Sequence, residues 1–508
     1  MDAAADRTNP RLTFVVLAWG VGAYAVLQSL VLPVLPTVQG ALRTSQANVT
    51  WVLTAYLLSA AIFTPILGRL GDMSGKKRMF VSALGALAVG SLLAAVATSL
   101  TVMIIARVIQ GVGGGVVPLA FGIVRDEFPH AKVQGAIGGI AAVASVGVGV
   151  GIVLAGPIVD SLGYHWLFWL PLIMTTGAAI AAQFMVPESL EKAPGRINWS
   201  AAILLSGWLV CLLLAVSEAP EWGWVSLRVL ALEGLTVVLV TVWCLLESRT
   251  ANPLIDMRMM QRRGVWTTNL VALLIGVGLY AMFSFLPEFV QTPSSAGYGF
   301  GASVTESGLM ILPMGIGMFV FGMFTGRLGA RFGSKNVVIG GTVLLVISFL
   351  MVAFAHDRKV DIYVAMSIMG LGLGLAVSGL ANLIVAAVPP TQTGVASGMN
   401  ANIRTIGGAI GAAIMTSIVA SGTPPGHLPR ESGYTNGFLM LAGSAVLSLL
   451  AALMVPSIRR DRATHHEPAV DLRHPELAGL PAAALWATRH PDLRIAPAGN
   501  GNFSPAVV

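Results

Sequence analysis

Residues 68–78 read Gly68-Arg69-Leu70-Gly71-Asp72-Met73-Ser74-Gly75-Lys76-Lys77-Arg78 and separate two strongly apolar runs of the chain. A diluted form of this turn returns as Gly326-Arg327-Leu328-Gly329-Ala330-Arg331-Phe332-Gly333-Ser334-Lys335. Four consecutive residues are identical, and a later Gly and Lys also match at the same offset of 258 residues (326 − 68). The offset is about half the chain, so the repeat predicts a duplicated charged turn between apolar helices.

The composition is typical of a protein embedded in a membrane. Of 508 residues, 55% are hydrophobic and 10% are charged, and the mean hydropathy is +0.80, whereas a soluble domain carries about 25% charged residues. The net charge of +7 does not indicate a nucleic-acid partner, because the cations lie in short segments between apolar runs. Cys211 and Cys244 lie inside apolar runs and predict neither a disulfide framework nor a metal site. Phosphate-loop, metalloprotease and hydrolase motifs are missing from the sequence, so we predict no cofactor and no enzyme activity.

Fourteen apolar segments are long enough to cross a bilayer, which takes about 20 mostly apolar residues each. They are approximately residues 12–35, 49–69, 79–99, 101–123, 134–158, 166–186, 199–217, 228–247, 265–290, 304–328, 335–355, 361–386, 393–420 and 435–456. The predicted fold is therefore an all-α polytopic membrane protein with about 14 transmembrane helices. Residues 457–508 form a polar tail that we expect to be disordered.

The distribution of Lys and Arg predicts the orientation of these helices. With the N-terminus inside, twenty cations fall in inner segments, and the outer segments hold Arg43, Arg228, Arg358, Lys359 and Arg430. Cytoplasmic loops of membrane proteins carry an excess of Lys and Arg. We therefore predict a multi-pass protein of the cell membrane with both termini in the cytoplasm.

Few charged side chains lie inside the predicted spans, where each costs about 2.5–3.5 kcal/mol at the helix centre. Arg107 lies in span four near Gln110, Arg404 lies in span thirteen, and Glu233 and Glu288 lie near outer span ends. Each is a functional candidate. The alternatives are a structural cation at Arg107, a packing network with neighbouring Asn residues at Arg404, and access to outer water for the two glutamates.

Glycines four residues apart form a second signal inside the spans. The pairs are Gly111–Gly115, Gly135–Gly139, Gly147–Gly151, Gly370–Gly374 and Gly407–Gly411. Small residues one turn apart allow helix backbones to approach closely. Spans five and thirteen, which are rich in these pairs, should therefore pack tightly against their neighbours. The close contacts suit helices that slide or rock during function, and the alternative is static packing.

These motifs resemble those of the major facilitator superfamily. The residues similar to its loop motif are Gly68, Leu70, Asp72, Gly75, Lys76 and Lys77, and those similar to its fourth-span motif are Arg107, Gln110 and Gly111. The fourteen spans resemble its EmrB/QacA-like drug:proton antiporter branch. So do the segments Trp51 with Tyr56-Leu57, Ser217-Glu218-Ala219-Pro220-Glu221-Trp222-Gly223-Trp224, Arg249-Thr250-Ala251-Asn252-Pro253-Leu254, and Ser397-Gly398 with Arg404 and Gly407-Gly408.

The resemblance implies two six-helix bundles with an added central helix pair. The implied divisions are a cytoplasmic N-terminus at 1–11, an N-terminal bundle at 12–190, the central pair at 191–250, a C-terminal bundle at 251–456 and the tail at 457–508. A small amphipathic substrate would bind between the bundles, which would rock around it. The resemblance implies that protons are the coupling ion and that the lipid bilayer surrounds the protein.

The resemblance also implies roles for particular residues. A cytoplasmic gate would be formed by Gly68, Arg69, Asp72, Gly75, Lys76, Lys77 and Arg78, whose charge-assisted bonds would hold one state and break in the other. Candidates for proton coupling are Arg107, Gln110, Glu233 and Glu288. The chain departs from the family in span one, where Leu27 stands at the position of an Asp and cannot carry a proton.

Aromatic and polar residues of several spans are candidates for the substrate cavity. They are Trp19, Tyr24, Gln28, Trp51, Tyr56, Phe283, Asn400 and Arg404. A broad apolar cavity with aromatic rings suits amphipathic ligands, and the alternative is that these rings face lipid or the helix core.

Two classes of function follow. The first is a secondary active transporter that exports amphipathic or hydrophobic compounds, as in multidrug efflux and antibiotic resistance, by proton-coupled alternating access. Because Leu27 replaces a carboxylate, a lipid-like substrate or an uncoupled facilitator is a variant of this class. The second class is a non-transporting membrane sensor or scaffold, since a fold does not determine a function.

Overall fold

The computed structural model describes residues 10–31, 34–44, 46–189, 198–250, 253–421 and 428–456. Regular structure in these residues is helical, with no strand among them, so the predicted all-α class is confirmed. The predicted tail at 457–508 and most of the predicted N-terminal segment at 1–11 lie outside the described residues.

The first half of the chain contributes eight α-helices. These are α1 (Pro10–Leu30), α2 (Leu35–Ala41), α3 (Gln46–Ser74), α4 (Lys76–Ala95), α5 (Leu100–Gly111), α6 (Val116–Glu127), α7 (His130–Leu162) and α8 (Trp166–Met185). Two further helices form the central pair, α9 (Trp199–Trp222) and α10 (Leu227–Arg249).

The second half contributes the remaining helices of the described chain. These are α11 (Met257–Met260), α12 (Arg263–Gln291), α13 (Val304–Phe332), α14 (Ser334–Phe354), α15 (Lys359–Ala387), α16 (Thr393–Ala420) and α17 (Glu431–Met454). Counted over the described ranges, fourteen helical segments are long and apolar enough to cross a membrane, as the sequence predicted. Helices α5 and α6 form one such segment, while α2 and α11 are too short.

Several predicted boundaries differ from the structure. The second span runs to Ser74 rather than to residue 69, so most of the predicted charged turn at residues 68–78 is helical. The first span ends at Leu30 rather than at residue 35, and Leu35–Ala41 form the separate short helix α2. The fourth span is interrupted by a 3₁₀ turn at Val112–Gly115, which separates α5 from α6. Most of the loop predicted at Ser217–Trp224 is helical, because α9 continues to Trp222 and ends at Gly223 with φ 88°.

The duplication seen in the sequence is repeated in the packing of the halves. The fifth span of the first half, α7, packs on α13, which is the second span of the second half. In the matching contact, α16 packs on α3, which is the second span of the first half. The two halves therefore meet through equivalent helix pairs.

We call the end that carries residues 68–78 the inner end, which the charge distribution predicts to be cytoplasmic.

Most glycines of the predicted pairs lie where helices approach closely. A Cβ at Gly407 or Gly411 of α16 would overlap a backbone carbonyl oxygen of α12, and one at Gly370 of α15 would overlap the carbonyl of Met314 in α13. Between the halves, a Cβ at Gly149 would lie 3.2 Å from the Cα of Gly315. These contacts confirm the close helix packing predicted from the sequence.

The central pair lies at the edge of the junction between the halves. Helices α9 and α10 pack on each other, and α9 also contacts α3 and α16, one from each half. Only 17% of the apolar window of α10 is buried within the protein. Most of α10 is therefore left for contact with the surrounding lipid.

Candidate functional site

At the inner end, Asp72 connects the two halves. Its buried carboxylate accepts hydrogen bonds from the backbone amides of Gly394 (3.2 Å) and Val395 (3.1 Å). These amides belong to the first turn of α16, where backbone N–H groups have no partner within the helix and the helix dipole is positive. Asp72 of the first half thus caps a helix of the second half.

Lys76 places a buried positive charge beside Asp72. Its Nζ donates to both carboxylate oxygens of Asp126 (3.0 and 2.7 Å) and lies 3.8 Å from Asp72 Oδ1. The turn between α3 and α4 places this lysine, and Gly75 adopts φ 116°, which favours glycine. The result is a buried cluster of two carboxylates and one ammonium.

The other cations of the predicted gate motif bind within the first half or face the central pair. Glu188, just after α8, accepts a bond from the backbone N–H of Lys77 (3.1 Å) and lies 3.6 Å from Arg78 Nε. Arg69 interacts electrostatically with Glu247 of α10. Of the predicted gate residues, Gly68 contacts Gly394 of the other half, and Asp72 contacts both Gly394 and Val395.

Arg125 forms a second connection between the halves. From the sequence it was predicted only as one of the cations of the inner segments. It donates to the carbonyl oxygens of Val385 (2.7 Å) and Val388 (2.8 Å) and to Thr393 Oγ1 (2.6 Å). These acceptors lie at the end of α15 and the start of α16. In the sequence, Arg125 stands directly before Asp126, the carboxylate that pairs with Lys76. This position was the one sign that Arg125 belongs to the inner cluster.

The repeated turn in the second half keeps the close contact but not the carboxylate. A Cβ at Gly68 would lie 2.5 Å from the carbonyl oxygen of Gly394, and one at Gly326 would lie 2.5 Å from the Cα of Gly135. These two contacts are equivalent under the duplication. Ala330 occupies the position that matches Asp72, so the carboxylate cap exists on one side of the inner end.

Arg107 lies fully buried inside the first half. Its Nε donates to the carbonyl oxygen of Val52 (2.9 Å), its Nη1 donates to Gln110 Oε1 (2.7 Å), and its guanidinium lies 4.5 Å from the Tyr56 ring centroid. Gln110 donates in turn to Ser91 Oγ (3.0 Å). The structure therefore brings Arg107, Gln110 and Tyr56 together, although Tyr56 was predicted to line the substrate cavity.

A central cavity of about 150 Å³ lies between the halves. Five predicted residues line it: Tyr24, Gln28, Phe283, Asn400 and Arg404. Polar residues that sequence reasoning missed are Thr64, Ser145, Tyr280, Ser397, Asn402 and Thr405. Tyr280 was within reach of sequence reasoning, because it lies three residues before Phe283 and so on the same face of α12.

Three predicted cavity residues lie elsewhere. The side chain of Trp19 is 43% exposed, and its ring lies against Gly177 of α8. Trp51 is half-buried and does not line the cavity, and Tyr56 is buried beside Arg107. The helices carrying them turn these side chains away from the junction of the halves.

The carboxylates predicted for proton coupling also lie outside the cavity. Glu288 is exposed and accepts a hydrogen bond from the Tyr434 hydroxyl (2.9 Å), which belongs to the same half. Glu233 is half-buried on α10. Leu27, at the position where the family has Asp, is buried in the core of the first half. Arg404 is therefore the one charged side chain among the described residues that line the cavity.

One His and carboxylate group meets outside the cavity. His356, Asp357 and Glu431 have potential ligand atoms within 4.8 Å of one another. His356 Nε2 lies 3.0 Å from Glu431 Oε1, and its Nδ1 lies 2.8 Å from the carbonyl oxygen of Val352. Both ring nitrogens therefore already have protein partners.

Comparison with known families gives a match over most of the chain. The family model of the Major Facilitator Superfamily matches residues 17–412, with a second match over residues 268–491. Among solved structures, the human organic anion transporter MFSD10 (TETRAN) superposes with a TM-score of 0.64 over 87% of this chain and 99% of its own. Its sequence identity is 18%, so this likeness concerns the fold.

Curated relatives extend over similar lengths. The chain is 28% identical over 82% of its length to the multidrug resistance protein Stp of Mycobacterium tuberculosis, covering 78% of that protein. It is 30% identical over 73% of its length to the multidrug transporter protein MdtP of Bacillus subtilis, covering 68% of that protein. The tetracenomycin C resistance and export protein of Streptomyces glaucescens is 28% identical, with 82% of this chain and 78% of the relative covered.

Proposed function

The chain belongs to the Major Facilitator Superfamily, and from this premise we propose that it exports amphipathic or hydrophobic compounds by proton-coupled alternating access. Membership makes the protein a multi-pass transporter of the cell membrane and not an enzyme. The named relatives are multidrug resistance, multidrug transport and antibiotic export proteins, and they support this class of substrate.

The central cavity is the observation that carries the proposal. It lies between the halves and is lined by helices of both, with Tyr24 and Thr64 on one side and Phe283 and Asn400 on the other. A site shared by two bundles is exposed to opposite sides of the membrane when the bundles rock. Its volume of about 150 Å³ is below the roughly 300–1,000 Å³ of pockets for drug-sized ligands. Rocking must therefore enlarge the cavity when such a compound enters.

The inner contacts supply a gate for this movement. Asp72 bonds to α16, and Arg125 bonds to the segment between α15 and α16, so both hold the inner ends of the two halves together. At the level of the central cavity, Asn402 of α16 also donates to the carbonyl oxygen of Ala61 in α3 (2.9 Å). In the proposed cycle these bonds break when the inner end opens.

Asp72 is the group that we propose for proton coupling. Its carboxylate bonds directly to the other half, whereas Glu288 bonds within its own half. A proton on Asp72 would remove the negative charge that attracts Lys76 and the positive end of α16. Proton binding would therefore favour opening of the inner end, which links proton movement to the gate.

Transport in liposomes tests the proposal. Purified protein is reconstituted with an enclosed pH dye, a proton gradient is imposed, and uptake of ethidium and of fluorescein is measured by filtration. Movement of either compound together with protons is the expected result. Compound movement without protons would overturn the coupling and leave a facilitator. Folded protein that moves neither compound would contradict export of this class and favour the sensor or scaffold alternative.

A further inference from the structure

We propose that the cavity selects amphipathic organic anions, with the guanidinium of Arg404 as the group that binds the carboxylate or sulfonate of the ligand. This inference rests on the proposed function, because it names the substrate class of the same cavity. It differs from the usual expectation for an amphipathic dye exporter, in which a carboxylate in the site would attract cations.

The one charge among the described residues that line the cavity is positive. Arg404 is its charged lining residue, and no Asp or Glu occurs among the described residues of its wall. Arg107 adds a second positive charge behind the wall, where its guanidinium lies 4.5 Å from the centroid of the Tyr56 ring. Two carboxylates of the first half with little exposure, Asp72 and Asp126, lie close to Lys76 at the inner end. The cavity therefore presents positive potential to a ligand.

In the part of the chain that the structure describes, Arg404 has no counterion. Among the described residues it forms no ion pair with a carboxylate, and its side chain is half-buried. A charge at membrane depth is costly unless it is paired. An anionic ligand would supply the missing charge, and a carboxylate or sulfonate can accept two parallel hydrogen bonds from the planar guanidinium.

The backbone around Arg404 is held in place by close helix packing. A Cβ at Gly276 of α12 would overlap the carbonyl oxygen of Arg404, so α12 and α16 are in direct backbone contact at this level. Tyr24 and Asn402 line the same cavity as Arg404, and Asn402 Oδ1 is buried without a hydrogen-bond partner. The cation is thus positioned on a rigid helix pair, with further polar groups beside it.

Large apolar side chains from both halves form much of the remaining wall. They are Leu57, Val117, Phe121, Val148, Leu279, Phe283, Met318, Val377 and Ile384. A ligand with an aromatic or aliphatic body and one anionic group matches this arrangement. A cationic ligand of the same shape would meet repulsion from Arg404 and would find no carboxylate in the described wall.

Equilibrium binding of two related dyes tests the assignment. Fluorescein, which carries a carboxylate, and rhodamine 123, its cationic relative, are titrated with purified protein in detergent, and fluorescence anisotropy gives each Kd. We expect fluorescein to bind at least about tenfold more tightly than rhodamine 123, because its carboxylate can form a charge-assisted contact with Arg404 that the cationic dye cannot form. Arg404→Gln should remove this preference, and Arg404→Lys should restore part of it. Arg228→Gln, an exposed arginine in contact with Trp222, should leave both values unchanged.

Several outcomes would overturn the assignment. Equal binding of the two dyes, tighter binding of rhodamine 123, or an unchanged preference in Arg404→Gln would each contradict it.

Measuring binding and transport separately distinguishes this inference from the proposed function. Fluorescein binding that depends on Arg404, without uptake into liposomes, would support the site and contradict export. Proton-coupled uptake of rhodamine 123 without preference for fluorescein would support export and contradict the anion site.

Discussion

At the scale of single residues, the carboxylate of Asp72 accepts two amide hydrogen bonds from α16 and lies 3.8 Å from the ammonium group of Lys76. We expect Asp72→Asn to weaken closure of the inner end, because a neutral amide offers one acceptor oxygen and no charge. A hydrogen bond to a charged group contributes about 1.5–3 kcal/mol, so the open population should rise by about one order of magnitude or more. The distance between spin labels on the inner ends of α3 and α16 would report this shift, together with reduced transport at normal expression.

The matched control at this scale is Asp126→Asn. Asp126 pairs with Lys76 but lies in the same half, so its loss leaves the two bonds from Asp72 to α16 in place. It should change the inner distance much less than Asp72→Asn. Equal shifts in the two variants would assign the effect to the charge cluster as a whole and contradict the role of the bond between halves.

At the scale of helices, glycine determines how closely α16 approaches α12. A Cβ at Gly407 would overlap the carbonyl oxygen of Leu273, and overpacking of this kind costs about 1–3 kcal/mol. We therefore expect Gly407→Ala to lower the thermal unfolding temperature of the purified protein. Gly443→Ala in α17 is the control, since nothing lies within 4 Å of a Cβ at that position. Identical unfolding temperatures for the two variants would show that the helices separate without penalty.

The spans and the glycine contacts could be predicted from the sequence, whereas the faces of the helices could not. Length and hydropathy identify a span, and glycines four residues apart identify a close contact. Lipid and helix core are both apolar, so hydropathy does not show which side of a span faces its neighbours. This is why Trp19 was assigned to the cavity while Tyr280 was missed. Arg125 bonds to Val385, which is 260 residues further along the chain. The pattern of residues within one span does not show which distant span it will contact.

At the scale of the whole molecule, the two halves must move relative to each other if the central cavity is to admit a drug-sized compound. Helices α7 and α13 form one of the two equivalent contacts between the halves. A Cβ at Gly138 of α7 would lie 3.8 Å from the Cβ of Thr325 in α13, which is the mean separation in disulfides, about 3.8 Å. The double variant Gly138→Cys/Thr325→Cys, with Cys211 and Cys244 replaced by Ala, should therefore form a disulfide that fixes this contact.

Oxidation of this double variant should abolish transport, and a reductant should restore it, because the bridge prevents the halves from separating at α7 and α13. The matched control is Gly264→Cys/Ala387→Cys, whose Cβ atoms would lie 3.4 Å apart on α12 and α15 within the second half. That bridge should leave transport largely intact under the same oxidant, since the second half moves as a unit in rocking. Full transport by the oxidised Gly138→Cys/Thr325→Cys protein would contradict rocking at this contact. Loss of transport in both double variants would show that flexibility inside the second half is also required.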